Sequence, residues 1–529
     1  MQVNKNKKRK PAFSQILRRW LDSYELNSYA FSIALHAVVV ILLILMSIAI
    51  PSGGAGFRDG LIVMNSRLDS VVDDDSTSEE SVNVSPVNVQ SNEPVTETTN
   101  TNADTSNQSD DNPADAANNG EIESNVTEQH NVGEGLPPTL SNIGRTGTFI
   151  SGGGVGGRNV ENRAKLRAFG ETSRESENAV EAGLAWIAAQ QNKDGGWKFN
   201  FDKDDSESSG NGLCTNGGTH PSRVAATSIS ILAFLGAGYT PERETGSKYW
   251  RNVDRGLSWL LKHGTENKID GSIDFRDFPY QQGMYSQAIA VLALVEAAAM
   301  VKDGKIKAAL AARAQGGVNF IVKSQDIQHT GGWRYTPRET PGDVSVTGWQ
   351  LMAMKGAAEA GVVVPKPTLY RANDFLDLIQ YDEGRQYTYI LETEKIHSYG
   401  IGRDSRKTCT ALGNLCRIYL GWQPGEPTLD NGVELIKEWR PLLGRNECNI
   451  YYAYIASLVL HHYGGDGWEE WFKELRDHLV ATQSKNAHDS GSWYVPDHYS
   501  DKGGRLYNTA LAVMILEVPY RYLPLYRKQ

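Results

Sequence analysis

From residue 171 onward, apolar positions fall into two kinds of segment that alternate along the chain. One kind is one-sided. Val253, Leu257, Leu260 and Leu261 recur at i, i+4, i+7 and i+8, the apolar stripe of a surface helix. The other kind is apolar on most faces. Tyr285 to Ala299 reads YSQAIAVLALVEAAA, Asn449 to Leu460 reads NIYYAYIASLVL, and Tyr507 to Glu517 reads YNTALAVMILE. A helix apolar all round lies inside something. Six such alternations predict an all-α domain, an α/α toroid of six inner helices ringed by six outer ones. In that arrangement the inner helices run the same way, so six N-termini meet at one mouth.

A second pattern marks the ends of the outer helices. A helix is followed by Gln, a short gap and Gly-x-Trp or Gly-Trp: Gln191 with Trp197, Gln325 with Trp333, and Gln483 with Trp493. Weaker copies begin near Gly256, Ala372 and Gly432. The glutamine amide suits the open backbone groups of a helix end, and the tryptophan suits covering them. These six residues are therefore expected to be structural.

The first 170 residues have a different character. Residues 1–28 carry Lys5, Lys7, Lys8, Arg9, Lys10, Arg18 and Arg19. Residues 29–50 hold the run AFSIALHAVVVILLILMSIAI, where about 20 apolar residues suffice to cross a bilayer core. The positive-inside rule predicts a single-pass anchor in a bacterial-type inner membrane, with a cytoplasmic N-terminus and an exocytoplasmic, periplasmic C-terminal domain. Residues 51–170 form an acidic linker. No Lys or Arg occurs between Arg67 and Arg145, and no aromatic residue either, so this stretch is expected to be disordered. The glycine-rich 151–157 extends that hinge, which leaves 171–529 for the toroid.

The helix–Gln–Gly-x-Trp repeat resembles that of squalene cyclases and protein prenyltransferases, the terpenoid-cyclase repeat family. Tyr451 to Ala456, His461 to Gly465, Gly491-Ser492-Trp493, Gly503 to Ala510 and the tail from Glu517 to Tyr526 are similar to membrane-anchored planctomycete-type proteins that carry this repeat. The resemblance implies the same toroid. It also implies an acid-rich DxDD motif for cyclisation or a zinc site for prenyl transfer. The stretch matching the first is Gly342 to Trp349, where Asp343 and Thr347 fit but Ser345 and Val346 replace the two later acids. Asp343 then reads as a helix N-cap. Candidates for zinc, namely Cys214, His220, Asp343, His397 and Cys448, are scattered, and Tyr507 with its neighbours stands where a late histidine belongs. No metal and no cofactor are expected.

What remains is the mouth. His220, Arg223, Tyr285, Asp343, Arg406, Tyr451, Arg505 and Tyr507 stand before or within the first turns of inner helices. Helix N-termini favour anions, and arginines strengthen that preference. The main expectation is a binding or scaffold protein for a lipid or isoprenoid-like ligand. The alternative is a divergent enzyme, terpenoid-processing or polysaccharide-lyase-like, acting at the mouth. A net charge of −10 argues against nucleic acid, because neutralising phosphates needs clustered Lys and Arg. Cys409 and Cys416 are expected in the core, while Cys214 and Cys448 are left open to pairing. Oligomeric state is not legible.

Overall fold

A computed structural model describes residues 158–522 except 169, 201–213, 279–281, 383, 392–402, 442, 444–448 and 498–499, together with residue 525. The basic arm, the apolar run of 29–50 and nearly all of the linker lie outside the described residues. Helix α1 (Val160–Ala168) precedes twelve that alternate between two layers. The outer helices are α2 (Arg174–Ala189), α4 (Trp250–Lys262), α6 (Gly304–Lys323), α8 (Lys366–Ile379), α10 (Pro427–Trp439) and α12 (Asp466–Thr482). The inner ones are α3 (Arg223–Gly236), α5 (Gly283–Met300), α7 (Val344–Glu359), α9 (Arg403–Tyr419), α11 (Ile450–Tyr463) and α13 (Ser500–Arg521). Each inner helix packs on the next, and α13 packs back on α3, which closes the ring. The described residues form an all-α toroid of six inner and six outer helices. Two short antiparallel hairpins decorate it: β1 (Thr265–Glu266) with β2 (Ile273–Asp274), and β3 (Gln380–Tyr381) with β4 (Gln386–Tyr387).

Burial follows the two patterns of the sequence. Outer α4 buries one stripe, Val253, Gly256, Leu257, Trp259 and Leu260. Inner α5 buries nearly every residue from Gly283 to Met300. Among the described residues α5 is the one helix long and apolar enough to cross a membrane, but its place is inside the ring.

The repeat ties the outer layer together. Gln191 Nε2 donates to Gly195 O and across to Asn252 O of α4, at 2.8 and 2.9 Å. Gln325 does the same to Gly331 O and Thr368 O of α8. Gln483 donates to Gly491 O and to Ala179 O of α2, which seals the outer layer where chain end meets chain start. The indoles of Trp197, Trp333 and Trp493 cap the last turns by donating to Ile187 O, Ile321 O and Leu479 O. Their backbone N–H groups donate to Thr227, Thr347 and Thr509 on the following inner helices. Gly331, at φ +82°, brings its backbone so near Arg371 O that a Cβ would stand 2.3 Å from it. One degenerate copy keeps the same bond with a different aromatic: Tyr387 N donates to Thr410 Oγ1.

The end of the ring opposite the mouth is shut by buried charge. Arg158 pairs with Glu296 at 2.7 Å, and Arg521 pairs with Glu296 and Glu517 at 2.8 and 3.1 Å. Arg158 also donates to Leu235 O at 3.0 Å and Arg521 O at 3.3 Å. A buried arginine anchors the segment that the expected boundary at 171 assigns to the linker. His461 Nε2 meets Tyr522 O at 2.8 Å in the same region. Cys409 and Cys416 are buried core thiols, and among the described residues Cys214 is a free thiol donating to His488 O at 3.3 Å; Cys448, the residue left open to pairing with it, lies outside the described residues.

Candidate active site

Two extended segments meet the first turn of α7 and assemble the site. Asp343 N donates to Trp333 O at 2.8 Å, and Val344 N donates to Tyr389 O at 3.0 Å. Extended backbone alternates its side chains. Trp333 and Tyr387 face the core, and two residues on, Tyr335 and Tyr389 lie partly exposed. Asp343 is the N-cap of α7, accepting from Ser345 N at 2.7 Å and Val346 N at 3.0 Å.

The Asp343 carboxylate then gathers hydroxyls. Ser345 Oγ and Tyr389 Oη each donate to it at 2.6 Å. Each hydroxyl has one proton to give. Ser345 has given its own, so Tyr285 Oη must donate to Ser345 Oγ, at 2.5 Å. Tyr389 has given its own too, so Tyr335 must donate to Tyr389. Five side chains form one directed chain, Tyr285 to Ser345 to Asp343 from one side and Tyr335 to Tyr389 to Asp343 from the other. Burial raises the Asp343 carboxyl above the usual range, although Ser345, Tyr389 and two backbone N–H groups pull the other way. Burial also raises the Tyr285, Tyr335 and Tyr389 phenols, so they stay protonated. If Asp343 takes a proton, one arm reverses and its terminal tyrosine presents an O–H outward. The arrangement can therefore deliver a proton from a buried carboxyl to a ligand at Tyr285 or Tyr335.

Further residues complete the mouth. Tyr451, in the first turn of α11, lies parallel to Trp349 of α7 with ring centroids 6.1 Å apart. Tyr507 of α13 is partly exposed beside it, and burial raises its phenol. His220 is held at the rim, its ring edge-on to Phe199 and Phe278 and its Nδ1 accepting from Ser222 N at 3.2 Å. Burial lowers its pKa, which favours neutral imidazole.

Of the residues expected at the mouth, Tyr285, Asp343, Tyr451 and Tyr507 come together, and His220 borders them. Two arginines do not serve there. Arg223 turns outward to Asp194 at 2.6 Å and lies over Trp259. Arg505 is buried against Thr215 and Asp489. Arg406 occupies the first turn of α9 with its side chain outside the described residues. Sequence reasoning missed Tyr335, Tyr389 and Trp349, and it took Ser345 only as a lost acid. The signal was present in the aromatic-x-Tyr steps Trp333-Arg334-Tyr335 and Tyr387-Thr388-Tyr389.

No family model and no curated protein matches the chain. Among solved structures it is similar to an inactive variant of an alpha-1,6-mannanase from Salegentibacter sp. HEL1_6, in complex with alpha-1,6-mannotriose. The two share 11% identity at a TM-score of 0.45, over 65% of this chain and 99% of that one. The expected membership of the squalene cyclase and prenyltransferase family is corrected: no family model matches the chain, and the solved structure it is similar to is that of a mannanase. The lipid or isoprenoid scaffold is corrected as well. An anionic headgroup would need the free arginines that Asp194 and Asp489 occupy.

Proposed function

We propose that the chain is a divergent, polysaccharide-lyase-like enzyme acting at the toroid mouth on a glycan, with the Asp343 chain as its proton-delivering unit. The observation that carries this reading is the convergence of Tyr285, Ser345, Tyr389 and Tyr335 on one buried carboxyl. Breaking a glycosidic bond leaves charge on the departing oxygen, and a positioned acid that protonates it accelerates the step by about 10²–10⁴-fold. Tyr285 or Tyr335 gives that proton and is recharged through Ser345 or Tyr389 from Asp343, and the proton that elimination takes from the sugar carbon as the C=C bond forms returns to the Asp343 carboxylate along the other arm. A hydroxyl-lined mouth with aromatic faces suits a sugar, whose hydroxyls pair with the former and whose C–H faces lie on the latter. In this reading the basic arm and the apolar run hold the toroid outside a bacterial-type inner membrane.

The test is incubation of the full chain with a panel of neutral and uronate polysaccharides. New reducing ends, and ultraviolet absorbance from an unsaturated uronate, are the readouts. Asp343→Asn, which retains a capping side chain, and Tyr285→Phe should each lower kcat by about 10²-fold or more. Cleavage of none of the panel, or full turnover by both variants, would overturn the reading.

A further inference from the structure

The two arms of the Asp343 chain end side by side. Tyr335 O accepts from Met284 N at 3.2 Å, which seats Tyr335 on the first turn of α5 next to Tyr285. The two phenol rings stand 6.3 Å apart between centroids and 38° from parallel. Both residues are partly exposed, and each hydroxyl is two hydrogen bonds away from the same carboxylate.

That spacing decides how a sugar can meet them. Carbon atoms pack at about 3.5–4.0 Å, so a sugar held between two phenol rings would need them at least about 7–8 Å apart. The pair stands too close to straddle a ligand, and both hydroxyls therefore address it from one face. Elimination from a uronate breaks the C5–H and C4–O bonds of adjacent carbons. Groups on one face serve both bonds only where the two bonds are syn.

Resting on the glycan reading above, we propose that Tyr285 and Tyr335 carry out a syn elimination, and so select uronates whose C5–H and C4–O bonds share a face. D-glucuronate and D-mannuronate have that geometry; their epimers D-galacturonate, L-iduronate and L-guluronate do not. Arg334 divides the labour. Its guanidinium, held by Glu339 at 3.3 Å, lies 5.4 Å from the centre of the Tyr335 ring and favours negative charge at that phenol. Tyr335 accordingly takes the C5 proton while its own passes to Tyr389 and that of Tyr389 to Asp343. The C–H electron pair becomes the C4=C5 double bond, and the C4–O pair departs with the oxygen. Asp343 returns a proton through Ser345 to Tyr285, which protonates that oxygen. The chain ends with as many protons as it began with and consumes no outside acid or base.

The experiment supplies the full chain with polyglucuronate, polymannuronate, polygalacturonate and polyguluronate and follows the absorbance of the unsaturated product. At least one of the first two should be cleaved about 10²-fold or more faster than either of the last two. On the uronate that is cleaved, fluoride at C4 leaves without a proton, so Tyr285→Phe should retain turnover of the fluoride that Tyr335→Phe loses. Comparable or faster cleavage of polygalacturonate or polyguluronate would overturn the inference and leave the glycan reading standing. So would new reducing ends without an unsaturated product, and so would equal loss of the fluoride reaction in both variants. Cleavage of no polysaccharide at all would remove both.

Discussion

Trp333 and Asp343 are joined through their backbones: the carbonyl of the repeat tryptophan accepts the N–H of the site carboxylate at 2.8 Å. Trp333 is itself fixed to α6 by its indole and to α7 by Thr347. The structural repeat and the proton chain are therefore one construction, and the site inherits the rigidity of the ring.

Asp343 serves both. Asp343→Ala removes the cap of α7 and leaves the Ser345 and Tyr389 hydroxyls without their acceptor. The expected loss is about 2–5 kcal/mol, combining a lost cap with unpaired buried donors. Asn is as good a cap as Asp, so Asp343→Asn should cost clearly less. Denaturant unfolding of the two variants measures the difference, and equal losses would show that the cap retained by Asn contributes nothing.

Closure of the ring can be weighed with its glutamines. Gln191 and Gln483 each satisfy two backbone carbonyls, but only Gln483 bridges the end of the chain to its beginning. Substituting either by Ala should cost about 1–3 kcal/mol. Similar losses at the two positions are expected of a closed ring. A negligible loss at Gln483 beside a full one at Gln191 would mean that the seam between α12 and α2 is loose.

The ring itself was legible because its two helix types differ in burial all along their length, and burial is what periodicity records. α4 and α5 could be told apart from sequence alone for this reason. The repeat glutamines and tryptophans were legible because their chemistry repeats. The family was misread because that same chemistry serves helix-end packing, which does not depend on what the mouth does. Tyr389 was invisible because it joins Asp343 only after β4 has turned the chain back onto α7, a contact spanning 46 residues that no local pattern encodes. The arginines were misjudged for a related reason. A helix N-terminus invites an anion, but Arg223 and Arg505 find carboxylates of this chain, Asp194 and Asp489, before any ligand arrives.

Glu517 links stability to pH. Burial pushes its carboxyl up to about 8, despite Arg521 and Arg158 nearby, against an ordinary value of 4.5. Between those two values the folded state holds a proton that the unfolded state has released. Stability contributed by this group is complete below about 4.5 and is lost as pH rises through about 8. Thermal melts across that window should show Glu517→Gln with a flatter profile than the parent chain. A parallel profile would mean that Glu517 stays ionised between its arginines.

Arg158 ties the segment before α1 to the ring. Its guanidinium pairs with Glu296 and also satisfies Leu235 O and Arg521 O at the closed end of the ring. Removing one partner from a buried ion pair costs about 3–5 kcal/mol, because the remaining charge stays buried. Glu296 retains Arg521, so Arg158→Ala should fall at the lower end of that range. Arg158→Lys keeps the charge but loses the fork that reaches two carbonyls as well as the carboxylate, and should recover only part of the loss. A chain beginning at residue 171 lacks Arg158 and α1 together and should melt below Arg158→Ala, whereas one beginning at residue 150 should match the full chain. Equal melting of the 171 and 150 chains would show that the segment before α2 lies on the toroid without stabilising it.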